Sequence, residues 1–175
     1  TICATLGYLP LAIKLAGAYL GRKKKVGLRG YLERLTSEGC LTTVDATGLT
    51  EADLETRHIP AIEATLRVQW KLVNHPDAQS LFRLAGLLRE TQSIPCARLS
   101  LLSGLSQETK PGYVSALDAA LDELADISLV ERLSNDQVQL HPLVREFAER
   151  RAMQDGFQTL TRLACHNLTN AYKNP

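Results

Sequence analysis

The sequence predicts a mainly α-helical protein: a helical bundle segment, then a winged helix-turn-helix with a short β-hairpin wing, then further α-helix. Three observations support this prediction. Apolar residues recur at helical spacing over most of the chain. Residues 130–132 and 138–140 are typical of short strands, and Ser134, Asn135 and Asp136 between them supply turn residues, so a hairpin is expected. Several short helices ahead of a two-stranded wing are the order expected of a winged helix.

Composition and charge exclude several classes of protein. The 175 residues are 45% hydrophobic and 22% charged, as in ordinary globular proteins, and no apolar run approaches the length of a membrane span. The formal net charge of +1 argues against binding nucleic acid through bulk electrostatics. The 4 cysteines are far apart and form no CxxC pair, which is typical of reduced, buried thiols. We therefore expect a cytoplasmic protein without a membrane partner.

The first elements are predicted from helix start and stop signals. Gly7 ends a first helical piece, and Pro10 suits the first position of a second helix, expected over residues 9–20. That helix is apolar nearly all round, so burial on several sides is expected. The basic run at residues 22–25 is interpreted as the solvated end of this helix, in preference to a patch that binds nucleic acid or phosphate. Residues 28–35 predict a short amphipathic helix.

Residues 36–57 lack apolar periodicity and are rich in Thr, Gly, Asp and Glu, so we interpret them as a linker. Helical spacing of apolar residues resumes at Pro60. Gly104 is expected to end one of the helices that follow. The helices expected from Pro60 onward, before and after the hairpin, cover residues 60–74, 78–88, 95–102, 113–126, 142–153 and 157–172.

A histidine stands at the corner between the hairpin and the helix that follows it. His141 closes the second strand, and Pro142 is a natural first residue of a helix because its missing N–H needs no partner there. An imidazole held at such a corner is placed to meet a ligand that lies across a domain boundary. We expect the function to reside there.

The helix expected over residues 113–126 would be the recognition helix of a DNA-binding winged helix. It contains Asp118, Asp122, Glu123 and Asp126 and no Lys or Arg. Recognition helices normally face DNA with basic or amide groups, so DNA would be repelled by this one. A packing and interaction module without a nucleic-acid partner is therefore favoured.

No motif in the chain predicts catalysis or metal binding. GxSxG, HExxH and metal-spaced His/Cys clusters are absent from the sequence. The nearest match to a phosphate-binding loop, residues 21–27, has one residue too many between its glycines, and Leu28 stands where the lysine is needed. We expect no catalytic residues and no metal ligands in this chain.

Five motifs in order give the chain a resemblance to a known family. Residues 7–12, GYLPLA, resemble a GLPLA motif, and residues 140–148, LHPLVREFA, resemble an MHD motif and its helix. The family is the NB-ARC class of STAND signalling ATPases, which includes plant disease-resistance proteins and apoptotic protease activating factor. Three further stretches resemble the opening helix of that family's winged-helix subdomain, its next helix and its L-x-x-x-S-L-V run: residues 62–70, 78–88 and 122–130.

The resemblance covers roughly the first 153 residues and implies a domain order. Residues 1–45 would be the C-terminal part of the helical ARC1-like subdomain, 46–56 a linker, 57–153 the winged-helix ARC2-like subdomain, and 154–175 the start of a following helical module. The chain begins at Thr1 within an apolar pattern, so we expect a piece of a longer protein whose nucleotide-binding domain lies upstream.

The resemblance also implies a role for two residues. In the family, the proline of the GLPLA motif packs near the adenine or ribose, and the MHD histidine contacts the β-phosphate of bound ADP. These roles transfer to Pro10 and His141. The chain would be the moving lid of a nucleotide-dependent oligomerisation switch, with ADP or ATP bound in the parent protein and none bound stably by this chain alone. Its partners would be the upstream nucleotide-binding domain and, on activation, other protomers.

One departure from the family bears on regulation. Pro142 stands where the MHD motif has its aspartate, so the autoinhibitory contact is expected to be weaker or built from another residue. Leu140 in place of the methionine is expected to be harmless. Two other functions remain open: a winged-helix transcription regulator that binds DNA, and a helical protein-interaction scaffold without a nucleotide role.

Overall fold

A computed structural model describes residues 2–38, 51–88, 93–108 and 112–173, and for residues 51–60 it describes the backbone alone. Over this part the protein is mainly helical with one small antiparallel sheet, which confirms the predicted fold class at that level. The chain forms two compact units, Thr1–Leu72 and Val73–Pro175. None of the helices in the described ranges combines the length and the apolar character that crossing a membrane requires.

In the first unit, a long helix packs against two shorter ones. The described helices are α1 (Ile2–Thr5), α2 (Pro10–Arg22), α3 (Leu28–Ser37) and α4 (Glu51–Trp70). α4 lies against both α2 and α3. Tyr19 and Tyr31 meet in the core with ring centroids 4.9 Å apart and planes tilted by 44°, an arrangement that aromatic pairs favour. Gln69 on α4 donates from Nε2 to the carbonyl of Leu15, which ties α4 to α2.

α2 begins within one residue of its expected start and ends at Arg22, two residues beyond the expected end, and its burial differs from the expectation. Pro10 is its first residue, and Gly7 adopts a φ of 60° in the turn before it. One face is buried, with Leu15 and Ala16 among its residues, whereas Ile13 and Gly17 on another face are exposed. The expectation of burial on several sides was wrong for the described structure, because α4 packs against one side of the helix.

The segment interpreted as a linker is helical at both of its ends. α3 continues to Ser37, and α4 begins at Glu51 rather than at Pro60; residues 39–50 lie outside the described residues. Residues 51–58 contain no Gly or Pro that would stop a helix. They also lack an apolar stripe, so apolar periodicity could not detect this first part of α4. The proposed subdomain limits stay predictions.

The second unit combines helices with the small sheet. In chain order its elements are α5 (Pro76–Leu87), β1 (Ile94–Pro95), α6 (Cys96–Ser103), α7 (Ala116–Asp126), β2 (Glu131–Leu133), β3 (Gln137–Gln139), α8 (Pro142–Gln154) and α9 (Phe157–Lys173). α5 lies at the centre and contacts α6, α7 and α8. The core of this unit therefore forms around α5.

The predicted hairpin is confirmed, with each strand within one residue of its expected limits. β2 and β3 pair antiparallel, with Arg132 opposite Val138, and β1 adds to the other edge of β3, with Ile94 also opposite Val138. The side chains of Ile94 and Val138 are fully buried. β1 was not predicted, since two residues are too few to show an alternating pattern.

α5 and α8 approach each other so closely that one position admits only glycine. A Cβ atom added to Gly86 would lie 2.5 Å from the backbone nitrogen of Glu149 and 2.7 Å from the Cβ of Ala148. Nearby, the rings of Phe82 and Phe147 lie 6.4 Å apart. This backbone contact holds α8, and with it the start of α8 at His141, against α5.

The last described helix belongs to the second unit. α9 packs mainly against α6, and the side-chain amide of Asn167 donates to the carbonyl of Leu102 at 3.0 Å. Leu160 is buried in this contact region. The sequence predicted residues 154–175 to start a following module; the structure shows that α9 is attached to α6, and whether further helices follow stays a prediction.

Candidate functional site

Pro10, the predicted adenine-side residue, lies at the exposed start of α2. It occupies the first helical position, where its fixed φ suits the helix and its missing N–H is no loss. Leu9 is the N-cap, and among the described residues no side chain caps this helix start. The first turn, fully described, contains no acidic residue. The arrangement presents an exposed prolyl face at the start of the helix.

His141, the predicted phosphate-side residue, is the N-cap of α8. Its Nδ1 accepts a hydrogen bond from the backbone N–H of Leu143 at 3.3 Å, while Pro142 occupies the first helical position. Because Nδ1 is the acceptor, the neutral ring carries its proton on Nε2. The side chain is exposed, so the described residues leave an N–H donor at the corner between β3 and α8.

A second histidine in the same unit has the same local geometry. His75 is the N-cap of α5, its Nδ1 accepts from the N–H of Asp77 at 3.3 Å, and Pro76 occupies the first helical position. The carboxylate of Glu123 accepts from the backbone N–H groups of Asn74 and His75 at 3.0 and 3.3 Å. α5 also has Asp77 in its first turn, whereas the fully described first turn of α8 has no acidic residue.

The acidic residues of α7 form an ion-pair cluster with the hairpin. Arg132 on β2 donates to Asp122 at 2.6 Å and also to Asp118. Ser115, the N-cap of α7, donates its hydroxyl hydrogen to Asp118 at 2.6 Å and accepts from the Asp118 N–H at 3.0 Å. The Ser115 hydrogen bond, followed by that of Arg132, holds the pKa of Asp118 below its ordinary value. Asp118 in turn raises the pKa of Arg132.

This cluster gives the acidic helix a structural role that sequence reasoning missed. Asp118 and Asp122 hold the hairpin, and Glu123 satisfies the backbone before α5. The sequence signal that could have revealed the cluster is Arg132, a cation in the first strand of the hairpin that directly follows the acidic helix. β2 pairs with β3 and contacts α7. One guanidinium thus pairs with two carboxylates of α7, and a third carboxylate is used as a backbone hydrogen-bond acceptor.

The buried thiol of Cys96 provides no nucleophile in the described structure. Cys96 is buried, and burial, followed by the nearby Asp136 carboxylate, raises the pKa of its thiol to about 11. A thiol with such a pKa is almost entirely protonated at neutral pH and is unreactive. Cys3 and Cys165 are also free, and Cys40 lies outside the described residues. In the described ranges, no group of three or more His, Cys, Asp or Glu residues is arranged to hold a metal ion.

The two predicted site residues belong to different units: Pro10 to the first and His141 to the second. Each provides the chemistry that its predicted role needs, an apolar face in one case and an N–H donor in the other, and both roles stay predictions. Comparisons with protein-family models, with curated proteins and with solved structures find no match to this chain.

Proposed function

We propose that this chain is a regulatory segment of a signal-transduction ATPase of the STAND class, acting as the lid of a nucleotide-dependent switch. The observation that supports it best is the hydrogen bond that Nδ1 of His141 accepts from the backbone N–H of Leu143. Nδ1 is engaged with the N–H of Leu143, so the exposed Nε2 carries the proton that a phosphate oxygen would accept. The chain itself is proposed to have no catalytic activity, since it lacks a phosphate-binding loop.

We further propose that the second unit contains a winged helix used for packing rather than for DNA. The order α5, β1, α6, α7, β2, β3 and α8 is consistent with this fold, and α7 would be its recognition helix. α7 has no Lys or Arg, and its Asp118 and Asp122 side chains are paired with Arg132. A gel shift with duplex DNA at low salt is expected to show no complex; a complex would favour the transcription-regulator alternative.

In the proposed mechanism, ADP bound to an upstream nucleotide-binding domain holds the lid closed. The proposed role of His141 is to donate to the β-phosphate, and that of Pro10 is to pack on the adenine side. Exchange for ATP changes the contact with His141, the lid moves away, and protomers associate. The nucleotide thus biases a two-state element through its different affinity for the two states. The sequence places the hinge in residues 36–57. Because residues 51–57 of that segment belong to α4, the boundary between the compact units at Leu72 and Val73 is a second position to test.

The proposed location is the cytoplasm. Cys3, Cys96 and Cys165 are free thiols in the described structure, and a reducing compartment keeps thiols in that state.

The experiment that tests the proposal measures nucleotide retained by the longer protein that contains this chain and the proposed upstream domain. Released nucleotide from wild type, His141→Ala and His75→Ala is quantified by chromatography. Both substitutions remove an N-cap of the same geometry and cost a similar free energy, about 0.5–2 kcal/mol for a capping residue. We expect the wild type and His75→Ala to retain ADP and His141→Ala to lose it.

His141→Asn separates the phosphate contact from the cap. Asparagine is a good N-cap residue and preserves the helix start, but it removes the imidazole Nε2–H. We expect this variant to fold as the wild type does and still to lose ADP. Equal amounts of retained ADP in all four proteins would show that His141 caps α8 and does not contact the phosphate. Absence of nucleotide from the wild type, with no GxxxxGK[ST] loop upstream, would refute the assignment and favour the scaffold alternative.

A further inference from the structure

The connection between α2 and α3 is strongly basic. Residues 22–29, which we call the basic turn, contain five Lys or Arg residues, and residues 1–32 contain no Asp or Glu. Arg29 lies 3.6 Å from Glu33 on α3, but both side chains are highly exposed, and such surface pairs are weak. The basic turn thus carries a concentration of positive charge in a chain whose net charge is only +1.

A backbone hydrogen bond fixes the central cations of the basic turn at the surface. The N–H of Val26 donates to the carbonyl of Lys23 at 2.7 Å, which closes a β-turn with Lys24 and Lys25 at its two central positions. Both of these lysines are exposed, and so is Arg29 in the first turn of α3. The lysines are therefore held at the tip of the connection between two helices.

The stability of the helices explains some of these cations but not the others. Arg22 ends α2 and Lys23 is its C-cap, and positive charge is favourable at this negative end of the helix dipole. Lys25 and Arg29 lie instead beside the start of α3, where the dipole is positive. The fully described first turn of α3 has no acidic residue, and its N-cap, Gly27, has no side chain. These charges oppose the start of α3 unless an external anion matches them.

An exposed leucine lies among the cations and indicates what kind of anion they meet. Leu28 begins α3 and is 58% exposed, whereas Tyr31 and Leu35 of the same helix are fully buried. A leucine adds nothing to a contact with phosphate groups alone, but it gains free energy when it enters the apolar layer beneath lipid headgroups. The basic turn also has no aromatic or amide side chain for contacts with nucleic-acid bases. The combination suits an anionic bilayer better than nucleic acid.

We propose that the basic turn docks on the surface of a bilayer that contains anionic phospholipids. Lys24, Lys25 and Arg29 face the headgroups, and Leu28 inserts among them. The contact is peripheral, so the expectation of no membrane partner, which rested on the absence of a spanning segment, does not extend to it. The inference is independent of the proposed function, and each can fail while the other stands.

The test measures co-sedimentation of the 175-residue chain with vesicles of phosphatidylcholine alone or with about one third phosphatidylserine. We expect binding to the anionic vesicles and not to the neutral ones, and added NaCl should weaken it because salt screens exposed charges. The double variant Lys24→Gln, Lys25→Gln should bind about ten- to thirtyfold more weakly. The control, Arg162→Gln with Lys173→Gln, removes the same charge from exposed positions of α9 and should bind as the wild type does.

Leu28→Ser separates a bilayer from other polyanions. This variant keeps every cation, so its salt dependence should be unchanged, but its affinity for the anionic vesicles should fall about three- to tenfold. Thermal unfolding without vesicles checks the fold. The variant with Lys24→Gln and Lys25→Gln should unfold at the wild-type temperature or slightly above it, because it relieves repulsion at the start of α3.

Three results would overturn the inference. Equal binding to neutral and anionic vesicles, or binding to neither, would mean that the cations do not recognise lipid headgroups. An equal loss of binding in the α9 control would show that net charge governs binding and that the basic turn has no special role. A Leu28→Ser protein that binds as the wild type does would assign the turn to phosphate groups in general, such as those of nucleic acid, and not to a bilayer.

Discussion

Substitution of Gly86 by alanine is expected to destabilise the second unit strongly. The new Cβ would lie 2.5 Å from the backbone nitrogen of Glu149 and 2.7 Å from the carbonyl carbon and Cβ of Ala148. Favourable carbon contacts are about 3.5–4.0 Å, so α5 and α8 must separate by roughly 1 Å. The obstructing atoms are mostly backbone and cannot rotate away.

The magnitude follows from two opposing effects. Overpacking a core typically costs about 1–3 kcal/mol, and contact with backbone places Gly86→Ala at the upper end of that range. Replacing a helical glycine by alanine recovers about 1 kcal/mol through helix propensity. We therefore expect a net loss of about 2 kcal/mol in the free energy of unfolding.

Gly17→Ala is the matched control, because a Cβ at Gly17 in α2 would meet no atom within 4 Å. This variant should gain about 0.5–1 kcal/mol. Urea unfolding is followed by far-ultraviolet circular dichroism for both units and by the fluorescence of Trp70, the only tryptophan, for the first unit. A Gly86→Ala protein as stable as the wild type would show that α5 and α8 are not in backbone contact.

Two further predictions concern charged groups and thiols. Because the folded-state pKa of Asp118 is lowered from its ordinary 3.8, its stabilising contribution is present above that pH and is lost as the pH falls through the folded value. The free energy of unfolding of Asp118→Asn, measured as a function of pH, should fall less in acid than that of the wild type. The difference should be at most about 1 kcal/mol, because the pair with Arg132 is partly exposed. Identical pH profiles for the two proteins would contradict the ion pair. An alkylating reagent at mildly alkaline pH should label Cys165, which is exposed, and leave Cys96 unlabelled until the protein unfolds, as peptide mass spectrometry would show. Equal labelling of the two native thiols would be inconsistent with the burial of Cys96.

Sequence patterns predicted the elements whose signals are local. Gly104 closes α6 in a left-handed conformation, and Pro10 and Pro142 begin α2 and α8, since these residue types have strong backbone preferences. α7 begins at Ala116 rather than at residue 113, because Ser115 caps it with its hydroxyl. A capping serine followed by Asp118 was a readable signal that apolar periodicity alone does not contain.

Features that depend on distant segments could not be predicted in this way. β1 exists because β3 lies beside it, and Gly86 is required because α8 crosses α5 there. For the candidate site, sequence reasoning placed His141 at a strand-to-helix corner, but the protonated nitrogen follows only from the hydrogen bond with Leu143. The positive φ of Tyr8 likewise arises from the turn between α1 and α2, which the sequence marks only by Gly7.

The paired histidine–proline helix starts make the protein a convenient subject for imidazole NMR. His75 and His141 each accept at Nδ1 from the first backbone N–H of their helix at 3.3 Å. The carboxylate of Asp77 lies 3.7 Å from Nδ1 of His75, whereas the first turn of α8 has no acidic residue, so the two rings should give separate nitrogen signals in the absence of ligand. A ligand that reaches one of the two helix starts alone will shift the signals of that ring only. The unaffected ring then acts as an internal chemical-shift standard, recorded in the same tube, at the same pH and on the same polypeptide.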